Sequence, residues 1–378
     1  MTVPSPLATL PTPALVLDEA ILARNVSRLR THLAPLAVTL RPHLKSAKSI
    51  EVARRVLSDG NGPATVSTLR EAEMFAGAGV RDILYAVGIA PDKLARVLAL
   101  RAAGCDLSII LDTTVQAEAV VAAARRTGDA IPVLIEIDCD GHRSGLHPDD
   151  PAIVAIGRIL DAGGAMLRGV ITHAGESYNA VGAAALADFA EIERAAAVRA
   201  AQQLRAAGLP CPVVSVGSTP TAHFARDLTG VTEVRAGVFM FFDLVMAGIG
   251  VCTAQDIAVS VLTTVIGHQA ERGWIIVDAG WMALSRDRGT QSQAVDQGYG
   301  MVCDRDGQIL PDIIVAQANQ EHGVIAARPG ATLPALPIGT RLRILPNHAC
   351  ATAAQFDEYA VLPGDGGALA RWPRFRGW

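Results

Sequence analysis

The chain has 378 residues, half of them hydrophobic, and a formal net charge of −4. This length and apolar content favour a large domain with a smaller partner domain. The near-neutral charge, without a block of lysine and arginine interleaved with aromatic residues, argues against nucleic acid as a partner. No apolar run reaches membrane-spanning length and the amino terminus lacks signal-peptide features, so we expect a cytoplasmic protein without a membrane partner.

Eight β-rich runs alternate with amphipathic helical patterns along the first two thirds of the chain. Alternation of this kind is typical of a parallel sheet with helices outside it, and eight units close into a (β/α)8 TIM barrel. We therefore predict a barrel domain over residues 20–250. The eight predicted strands cover residues 38–43, 64–68, 82–87, 107–112, 133–138, 167–173, 213–217 and 231–239.

The pattern changes after about residue 250 to strand-rich segments that are separated by glycine and proline. Segments of this kind with few helices predict an antiparallel β domain over residues 251–378. The early strand at residues 14–18 has no helix partner of the barrel type. We therefore expect residues 1–19 to join the second domain.

Lys45 stands at the end of the first predicted barrel strand. Barrels of this class build their active sites at the carboxyl ends of the strands, and an amine there can form a Schiff base. A solvated surface lysine is the ordinary alternative. Polar residues at several other strand ends favour the active-site interpretation.

Gly217-Ser-Thr-Pro220 follows the seventh predicted strand. Barrels often hold a phosphate at this place through backbone amides and a small hydroxyl residue such as Ser218 or Thr219, although the same residues are ordinary turn formers. Gly237, after the eighth strand, would add a second amide. A phosphate and a lysine at one barrel mouth predict pyridoxal phosphate as the cofactor.

Three further side chains at strand ends suit that cofactor. Arg143 would lie beside the phenolate oxygen, with a loop salt bridge as the alternative. His173 could stack on the pyridine ring, with a local hydrogen bond as the alternative. Arg235 could face the ring nitrogen and keep it unprotonated, which would weaken the electron sink and require help in stabilising charge elsewhere.

A metal pair in the second domain would supply that help. On an extended segment residues two apart share a face, so His348 and Cys350 can point at one ion, and this borderline-soft pair suits Zn²⁺. Mn²⁺, Co²⁺ and Mg²⁺ are alternatives. Two ligands leave positions open for substrate oxygens or water, as a catalytic metal requires. The alternative is a buried cysteine beside a satisfied histidine.

Nearly the whole chain resembles the fold-type III pyridoxal-phosphate enzymes of the D-serine dehydratase, D-threonine aldolase and D-threo-3-hydroxyaspartate dehydratase group, which are related to alanine racemase. The resemblance implies that Lys45 carries the cofactor, that Ser218, Thr219 and Gly237 contact its phosphate, and that Tyr178 lies near it. It also implies a homodimer, and a metal on His348 and Cys350 that binds the substrate's carboxylate and β-hydroxyl. The resemblance is carried by Arg41-Pro-His-Leu-Lys45, Val66-Ser-Thr-Leu-Arg-Glu-Ala-Glu73, Ile171-Thr-His-Ala-Gly175, Val216-Gly-Ser-Thr-Pro220, Val277-Asp-Ala-Gly-Trp281, Asn319-Gln-Glu-His-Gly323 and Asn347-His-Ala-Cys-Ala-Thr352.

Two positions place the chain within this group. Relatives of the bacterial D-threonine aldolase type carry aspartate in place of Cys350, so the cysteine favours elimination. Ala47 stands where the D-serine dehydratases and D-threonine aldolases have histidine. The hydroxyaspartate dehydratase branch also lacks that histidine. We therefore expect an ammonia-lyase for small-molecule D-3-hydroxy amino acids, above all D-threo-3-hydroxyaspartate and also D-serine. An aldolase is the first alternative, and a racemase or a non-catalytic pyridoxal-phosphate carrier is a weaker one.

Overall fold

The computed structural model describes residues 6–378, which form two compact units. One unit comprises Ser27–Gly237 with Gly377–Trp378, and the other comprises the described residues up to Val26 with Val238–Arg376. The predicted domains, 20–250 against 1–19 with 251–378, divide the chain at somewhat different residues and stay a prediction. Residues 1–5 of the predicted second domain lie outside the described residues.

Seventeen strands and eleven α-helices make up the described part of the chain. No helix among residues 6–378 has the length and apolar character needed to cross a membrane. The helices are α1 (Glu19–Leu33), α2 (Ile50–Val56), α3 (Leu69–Gly77), α4 (Leu94–Ala102), α5 (Thr114–Thr127), α6 (Ala152–Gly163), α7 (Ala183–Ala206), α8 (Thr219–Phe224), α9 (Leu244–Gly248), α10 (Trp281–Leu284) and α11 (Ala349–Ala353). The strands are β1 (Ala14–Asp18), β2 (Thr39–Pro42), β3 (Ala64–Val66), β4 (Asp82–Gly88), β5 (Asp106–Leu111), β6 (Pro132–Ile137), β7 (Met166–Thr172), β8 (Val213–Val216), β9 (Glu233–Ala236), β10 (Val259–Gln269), β11 (Trp274–Val277), β12 (Met301–Asp304), β13 (Ile309–Ala318), β14 (Gly323–Ala327), β15 (Arg341–Leu345), β16 (Glu358–Leu362) and β17 (Ala370–Pro373).

The first unit contains the predicted barrel. Its eight strands are all parallel, in the order β2-β9-β8-β7-β6-β5-β4-β3, and a parallel bridge between His43 and Thr65 joins β2 to β3. All six residues of β6 are buried, and five of them are apolar, because strands of a covered parallel sheet bury both faces. The prediction of a (β/α)8 barrel is confirmed.

The eighth barrel strand is shorter than the sequence predicts. It ends at Ala236, and the apolar run that follows turns into a 3₁₀-helix at Val238–Met240. All residues of that short helix are buried. A buried turn and a buried strand have the same apolar composition, so the pattern alone could not find this boundary.

The second unit is built on one nine-stranded sheet. Its order is β11-β14-β13-β12-β15-β10-β1-β16-β17, and an additional pairing of β10 with β11 closes six of the strands on themselves. Only β1 and β16 pair in parallel, so the predicted antiparallel β architecture is confirmed. Its core is a cluster of buried apolar side chains that includes Val261, Val277, Val315 and Ile344.

Arg41 connects three barrel strands near their amino ends. Its guanidinium donates to both carboxylate oxygens of Asp82 at 2.7 and 3.0 Å and to Glu233 Oε2 at 2.8 Å. The side chains of Arg41 and Glu233 are only 12% and 8% exposed. Removing one partner of a buried ion pair leaves an uncompensated charge, so this cation is a structural requirement of the barrel.

We predict that Arg41→Met lowers the free energy of unfolding by about 3 kcal/mol, because Glu233 stays buried without its cation. Arg54→Met is the matched control, since Arg54 pairs with Glu51 at 2.8 Å on the surface with 57% of its side chain exposed. The control should cost less than about 1 kcal/mol. Urea unfolding followed by circular dichroism measures both, and equal losses would contradict a structural role for Arg41.

Candidate functional site

The carboxyl ends of the barrel strands carry most of the predicted site residues. Lys45 follows β2, Ser218 and Thr219 follow β8, and Gly237 follows β9. Arg143, His173 and Tyr178 follow β6 and β7, whereas Arg235 lies within β9. Since all eight strands are parallel, their carboxyl ends lie at the same end of the barrel.

Lys45 lies on a tight turn that follows β2. The backbone amides of Ala47 and Lys48 both donate to Leu44 O, at 3.0 and 2.9 Å. Lys48 adopts a left-handed backbone with φ of 45°, which is uncommon for a residue other than glycine. The turn therefore has a defined shape and presents the exposed side chain of Lys45.

A buried carboxylate anchors that turn. Glu71 is fully buried, and its carboxylate lies 3.3 Å from Lys48 Nζ and accepts a hydrogen bond of 2.9 Å from the amide of Ser67. Ion pairing to a buried partner offsets the strain of the Lys48 backbone. Glu71 thus joins the loop after β2 to the loop after β3.

The loop between β8 and α8 has the features of an anion site. Ser218 caps α8, and its hydroxyl contacts Thr221 N at 3.2 Å, Thr221 Oγ1 at 2.9 Å and Ser177 Oγ at 2.9 Å. Thr219 Oγ1, in contrast, is buried and has no hydrogen-bond partner among the described residues. A buried hydroxyl without a partner is costly unless a ligand satisfies it, so a phosphate group fits this loop.

Gly217 sets the path of the same loop. It has a φ of +150°, and a Cβ atom at this position would lie 1.9 Å from Arg235 O. Only glycine therefore permits the loop to pack against β9. His173 fixes the loop from the other side, because its Nδ1 donates to Gly217 O at 2.8 Å.

Arg235 is buried within β9 beside these loops, and His173 nearby is partly buried. The guanidinium of Arg235 donates to Ser215 Oγ at 2.6 Å and to Thr172 O at 2.5 Å. Burial lowers the pKa of Arg235, while Glu233 and other carboxylates act in the opposite direction. Burial also lowers the pKa of His173 to about 3, so its ring is neutral at ordinary pH.

His43 is a site residue that the sequence analysis did not single out. Its Nε2 lies 3.3 Å from Ser67 Oγ, and its Nδ1 is buried without a hydrogen-bond partner in the described residues. Burial holds the pKa of His43 well below its usual value, and the charges of Lys45 and Arg235 act in the same direction. Its position two residues before Lys45 at a strand end was the available signal, since alternate residues of a strand share a face.

Arg143 and Tyr178 lie in the loops after β6 and β7. Arg143 has a side chain that is 57% exposed, and its guanidinium lies 3.8 Å from Glu136 Oε1, which is the loop salt bridge named as the alternative. The ring of Tyr178 lies 6.2 Å from the ring of His173 at an angle of 53°. The roles of both residues toward a cofactor stay predictions.

The predicted metal ligands lie in the second unit, in a geometry that differs from the prediction. Only His348 is extended, with φ −133° and ψ 107°, and Cys350 already belongs to the first turn of α11. The argument from an extended segment is therefore wrong, because the helix begins directly after His348. The two side chains nevertheless interact by a hydrogen bond.

Asp287 completes this group and was missed by the sequence analysis. Its Oδ2 accepts a hydrogen bond of 2.6 Å from His348 Nδ1, which leaves Nε2 of the imidazole as the nitrogen that can bind a metal. Burial lowers the pKa of His348, but the hydrogen bonds to Asp287 and Cys350 outweigh it and raise that pKa to about 11. A metal that binds Nε2 would therefore displace a proton from it. Among residues 6–378 no three His, Cys, Asp or Glu side chains are arranged to hold one metal ion together, and Asp287 binds His348 rather than the metal position. A nitrogen and a sulfur donor with open positions fit a catalytic Zn²⁺-type ion.

Comparisons with known proteins agree with these features. Residues 17–245 match the family described as alanine racemase, N-terminal domain, and residues 258–362 match the family described as putative serine dehydratase domain. A D-threo-3-hydroxyaspartate dehydratase from Delftia sp. strain HT23 is 56% identical over 98% of this chain and 99% of the relative. Its solved structure superposes with a TM-score of 0.96, over 98% and 99% of the two chains.

Other relatives are less similar. A D-serine dehydratase from Schizosaccharomyces pombe is 32% identical over 97% of this chain and 92% of the relative. A D-threonine aldolase from Arthrobacter sp. is 28% identical over 94% of this chain and 90% of the relative. The chain therefore belongs to the family that joins an alanine racemase N-terminal domain to a serine dehydratase domain, and the resemblance found in the sequence is confirmed.

Proposed function

We propose that this chain is a pyridoxal-phosphate- and metal-dependent ammonia-lyase that eliminates water from D-3-hydroxy amino acids. D-threo-3-hydroxyaspartate, which would give oxaloacetate and ammonia, is the main proposed substrate, and D-serine, which would give pyruvate and ammonia, is the second. The observation that carries this proposal is the 56% identity to the Delftia dehydratase along nearly the full length of both chains. The aldolase relatives are more distant at 28% identity or less.

The barrel residues would hold the cofactor. Lys45 is the proposed covalent attachment point, and Thr219, Ser218 and Gly237 line the proposed phosphate site. Arg235 is proposed to face the pyridine nitrogen, because a guanidinium keeps its proton and leaves that nitrogen unprotonated. When bound, pyridoxal phosphate supplies an electron sink for charge that develops at the substrate's α-carbon.

Three other residues complete the proposed cofactor contacts. Arg143 is proposed to attract the cofactor's phenolate oxygen, since its guanidinium is exposed and bound only loosely to Glu136. His173 is proposed to lie against the pyridine ring, which its neutral state favours because no second cation then competes with Arg235. Tyr178, with its ring 6.2 Å from that of His173, is proposed to bound the same site.

Lys45 has a second proposed role as the general base. With pyridoxal phosphate bound, Lys45 Nζ would be the amine placed to accept the proton from the substrate's α-carbon. The anchored turn restricts the position of this side chain, and proton transfer requires such positioning. The enamine that leaves after loss of water hydrolyses to the keto acid and ammonia.

His348 and Cys350 are the proposed metal ligands, and Asp287 would orient His348 through Nδ1. A divalent ion held there supplies Lewis acidity toward the β-hydroxyl, which is otherwise a poor leaving group. Zn²⁺ is the proposed ion on donor chemistry, because imidazole and thiolate are its preferred ligands. Mn²⁺, Co²⁺ and Mg²⁺ are the alternatives for the test below.

We also propose a homodimer in the cytoplasm. The family resemblance supports the dimer. The six cysteines, all of which lie in the described part of the chain, are free of disulfides, and this supports a reducing compartment. Sedimentation equilibrium would test the dimer.

The first test identifies the products from D-threo-3-hydroxyaspartate, D-serine and D-threonine before and after chelation. We expect keto acid and ammonia from the first two substrates, activity lost with the metal, and recovery on addition of Zn²⁺ or Mn²⁺. Glycine together with an aldehyde would instead establish an aldolase. Full dehydratase turnover in metal-free protein would contradict the role of His348 and Cys350.

The second test locates the covalent attachment. The chain contains three lysines, Lys45, Lys48 and Lys93, so borohydride reduction of the holoenzyme followed by peptide mass spectrometry has few possible outcomes. We expect the cofactor on the peptide that contains Lys45. Lys45→Ala should lose the visible absorbance of bound cofactor, whereas Lys93→Ala should keep it. A cofactor found on Lys48 or Lys93 would refute the assignment.

The third test separates the metal ligands from their neighbour. Cys350→Ala should abolish metal binding and dehydratase activity while the barrel retains pyridoxal phosphate. Asp287→Asn should weaken metal affinity roughly 10- to 100-fold, because it removes the charged partner that orients His348. Cys303→Ala is the control, since Cys303 is a fully buried cysteine of β12 in the same unit. Metal content by mass spectrometry and keto acid formation measure these effects, and a metal-loaded, active Cys350→Ala would overturn the assignment.

A further inference from the structure

Glu193 is a buried carboxylate that the proposed mechanism does not use. It lies in α7 with 1% of its surface exposed. Its Oε1 accepts hydrogen bonds from the backbone amides of Ala174 and Gly217, both at 2.9 Å. Its Oε2 accepts one from Thr221 Oγ1 at 2.7 Å. One side chain thus ties the loops after β7 and β8 to α7.

Three hydrogen-bond donors converge on the carboxyl group of Glu193. Its pKa is raised, because burial outweighs the hydrogen bonds from Thr221, Ala174 and Gly217, which act in the opposite direction. Two backbone amides and a hydroxyl converge on the group, and an ionised carboxylate can accept from all of them. An ionised carboxylate accepts hydrogen bonds but cannot donate them, so a hydroxyl beside it must direct its proton toward the carboxylate.

That constraint determines the hydrogen bonds of the loop after β8. Thr221 gives its hydroxyl proton to Glu193 at 2.7 Å in preference to Ser218 O at 3.4 Å. Thr221 Oγ1 can then only accept from Ser218, whose amide lies at 3.1 Å and whose hydroxyl lies at 2.9 Å.

Ser177 closes the arrangement into a ring. Its hydroxyl donates to Ala174 O at 2.7 Å, so its oxygen can only accept from Ser218 Oγ at 2.9 Å. The single hydroxyl proton of Ser218 is therefore shared between Ser177 and Thr221. The hydroxyl proton and the amide of Ser218 are both used inside the ring, so Ser218 lines the proposed phosphate site without donating a hydrogen bond to the phosphate.

Thr219 stands outside this ring. It is fully buried, and its Oγ1 has no hydrogen-bond partner in the described part of the chain. We infer that Glu193 is a positioning residue for the cofactor's phosphate: its carboxylate commits Thr221 and Ser218 to each other and leaves Thr219 as the hydroxyl that donates to the phosphate ester. This inference rests on the proposed function, since the phosphate is that of pyridoxal phosphate.

The loop has little freedom to compensate for the loss of Glu193. Gly217, whose amide Glu193 holds, packs so closely against β9 that a Cβ would lie 1.9 Å from Arg235 O. Its carbonyl also accepts the hydrogen bond from His173. A change at Glu193 is therefore transmitted to the phosphate loop and to the histidine proposed to lie against the cofactor ring.

Glu193→Gln tests the inference with little change in volume. The glutamine NH₂ must face either Thr221, which reverses the hydroxyl directions, or the two backbone amides, which then lose an acceptor. We expect the dissociation constant of pyridoxal phosphate from the holoenzyme to rise about tenfold or more. The ³¹P resonance of the bound phosphate should shift, while kcat at saturating cofactor changes much less than the cofactor affinity.

Matched variants separate positioning from stability and from the proposed function itself. Thr219→Val should also weaken cofactor binding, and Thr219→Ser should restore it. Arg168→Met is the stability control, because it breaks contacts of 2.7 Å from β7 to Ser108 and Asp106 of β5. Should Glu193→Gln fail to fold, Thr221→Val removes the same link while leaving the carboxylate in place, and the same affinity loss and ³¹P shift are expected.

Each outcome has a distinct meaning. Weaker binding and a shifted ³¹P resonance in Glu193→Gln, with neither in Arg168→Met, support the inference. Normal affinity and an unshifted resonance in Glu193→Gln, together with a weakened Thr219→Val, overturn the inference and leave the proposed function standing. No cofactor binding by the unaltered protein would instead remove the proposed function on which the inference rests.

Discussion

The parallel pairing of β2 with β9 is the constraint on which the rest of the barrel depends. It sets Arg41 beside Arg235 in the register and lets the amide of His43 donate to Ala236 O at 2.7 Å. The two ends of the barrel segment thereby become neighbours, and a Cβ on Gly237 would lie 3.3 Å from His43. Because every strand runs in the same direction, the turn with Lys45 and the loop after β8 lie at the same end of the barrel.

Buried charged residues stabilise the barrel near both ends of its strands. Near the amino ends of the strands Arg41 is paired with two carboxylates. At the carboxyl ends Glu71 accepts a hydrogen bond from one backbone amide and Glu193 from two, and these contacts fix the loops. Burial keeps His43 and His173 neutral by lowering the pKa of each. The fixed loops and neutral rings suit an anionic, aromatic cofactor better than a cationic ligand, which Arg235 would repel.

In the second unit, the potential metal donors His348 and Cys350 are brought together by local chain geometry. His348 and Cys350 are close in the chain, and the start of α11 between them determines how they meet. Asp287 comes from a distant segment and binds His348 Nδ1. If His348 and Cys350 bind a metal as proposed, these two donors leave coordination positions open, as a catalytic site requires and a structural site does not.

The sequence by itself determined the alternation of strands and helices and the two kinds of sheet, because these depend on local periodicity and turn residues. It also predicted Lys45, the Gly217–Thr219 loop and the pair His348 and Cys350 as site residues, from their places at strand ends and their short spacings. The position at which β9 ends was decided by tertiary structure, since buried turns and buried strands share an apolar composition. The structure also showed that Cys350 lies on a helix. It alone revealed Asp287 and Glu193. A carboxylate in the middle of a helix such as α7 has no sequence signal for its partners, because they lie on loops that only the closed barrel brings together.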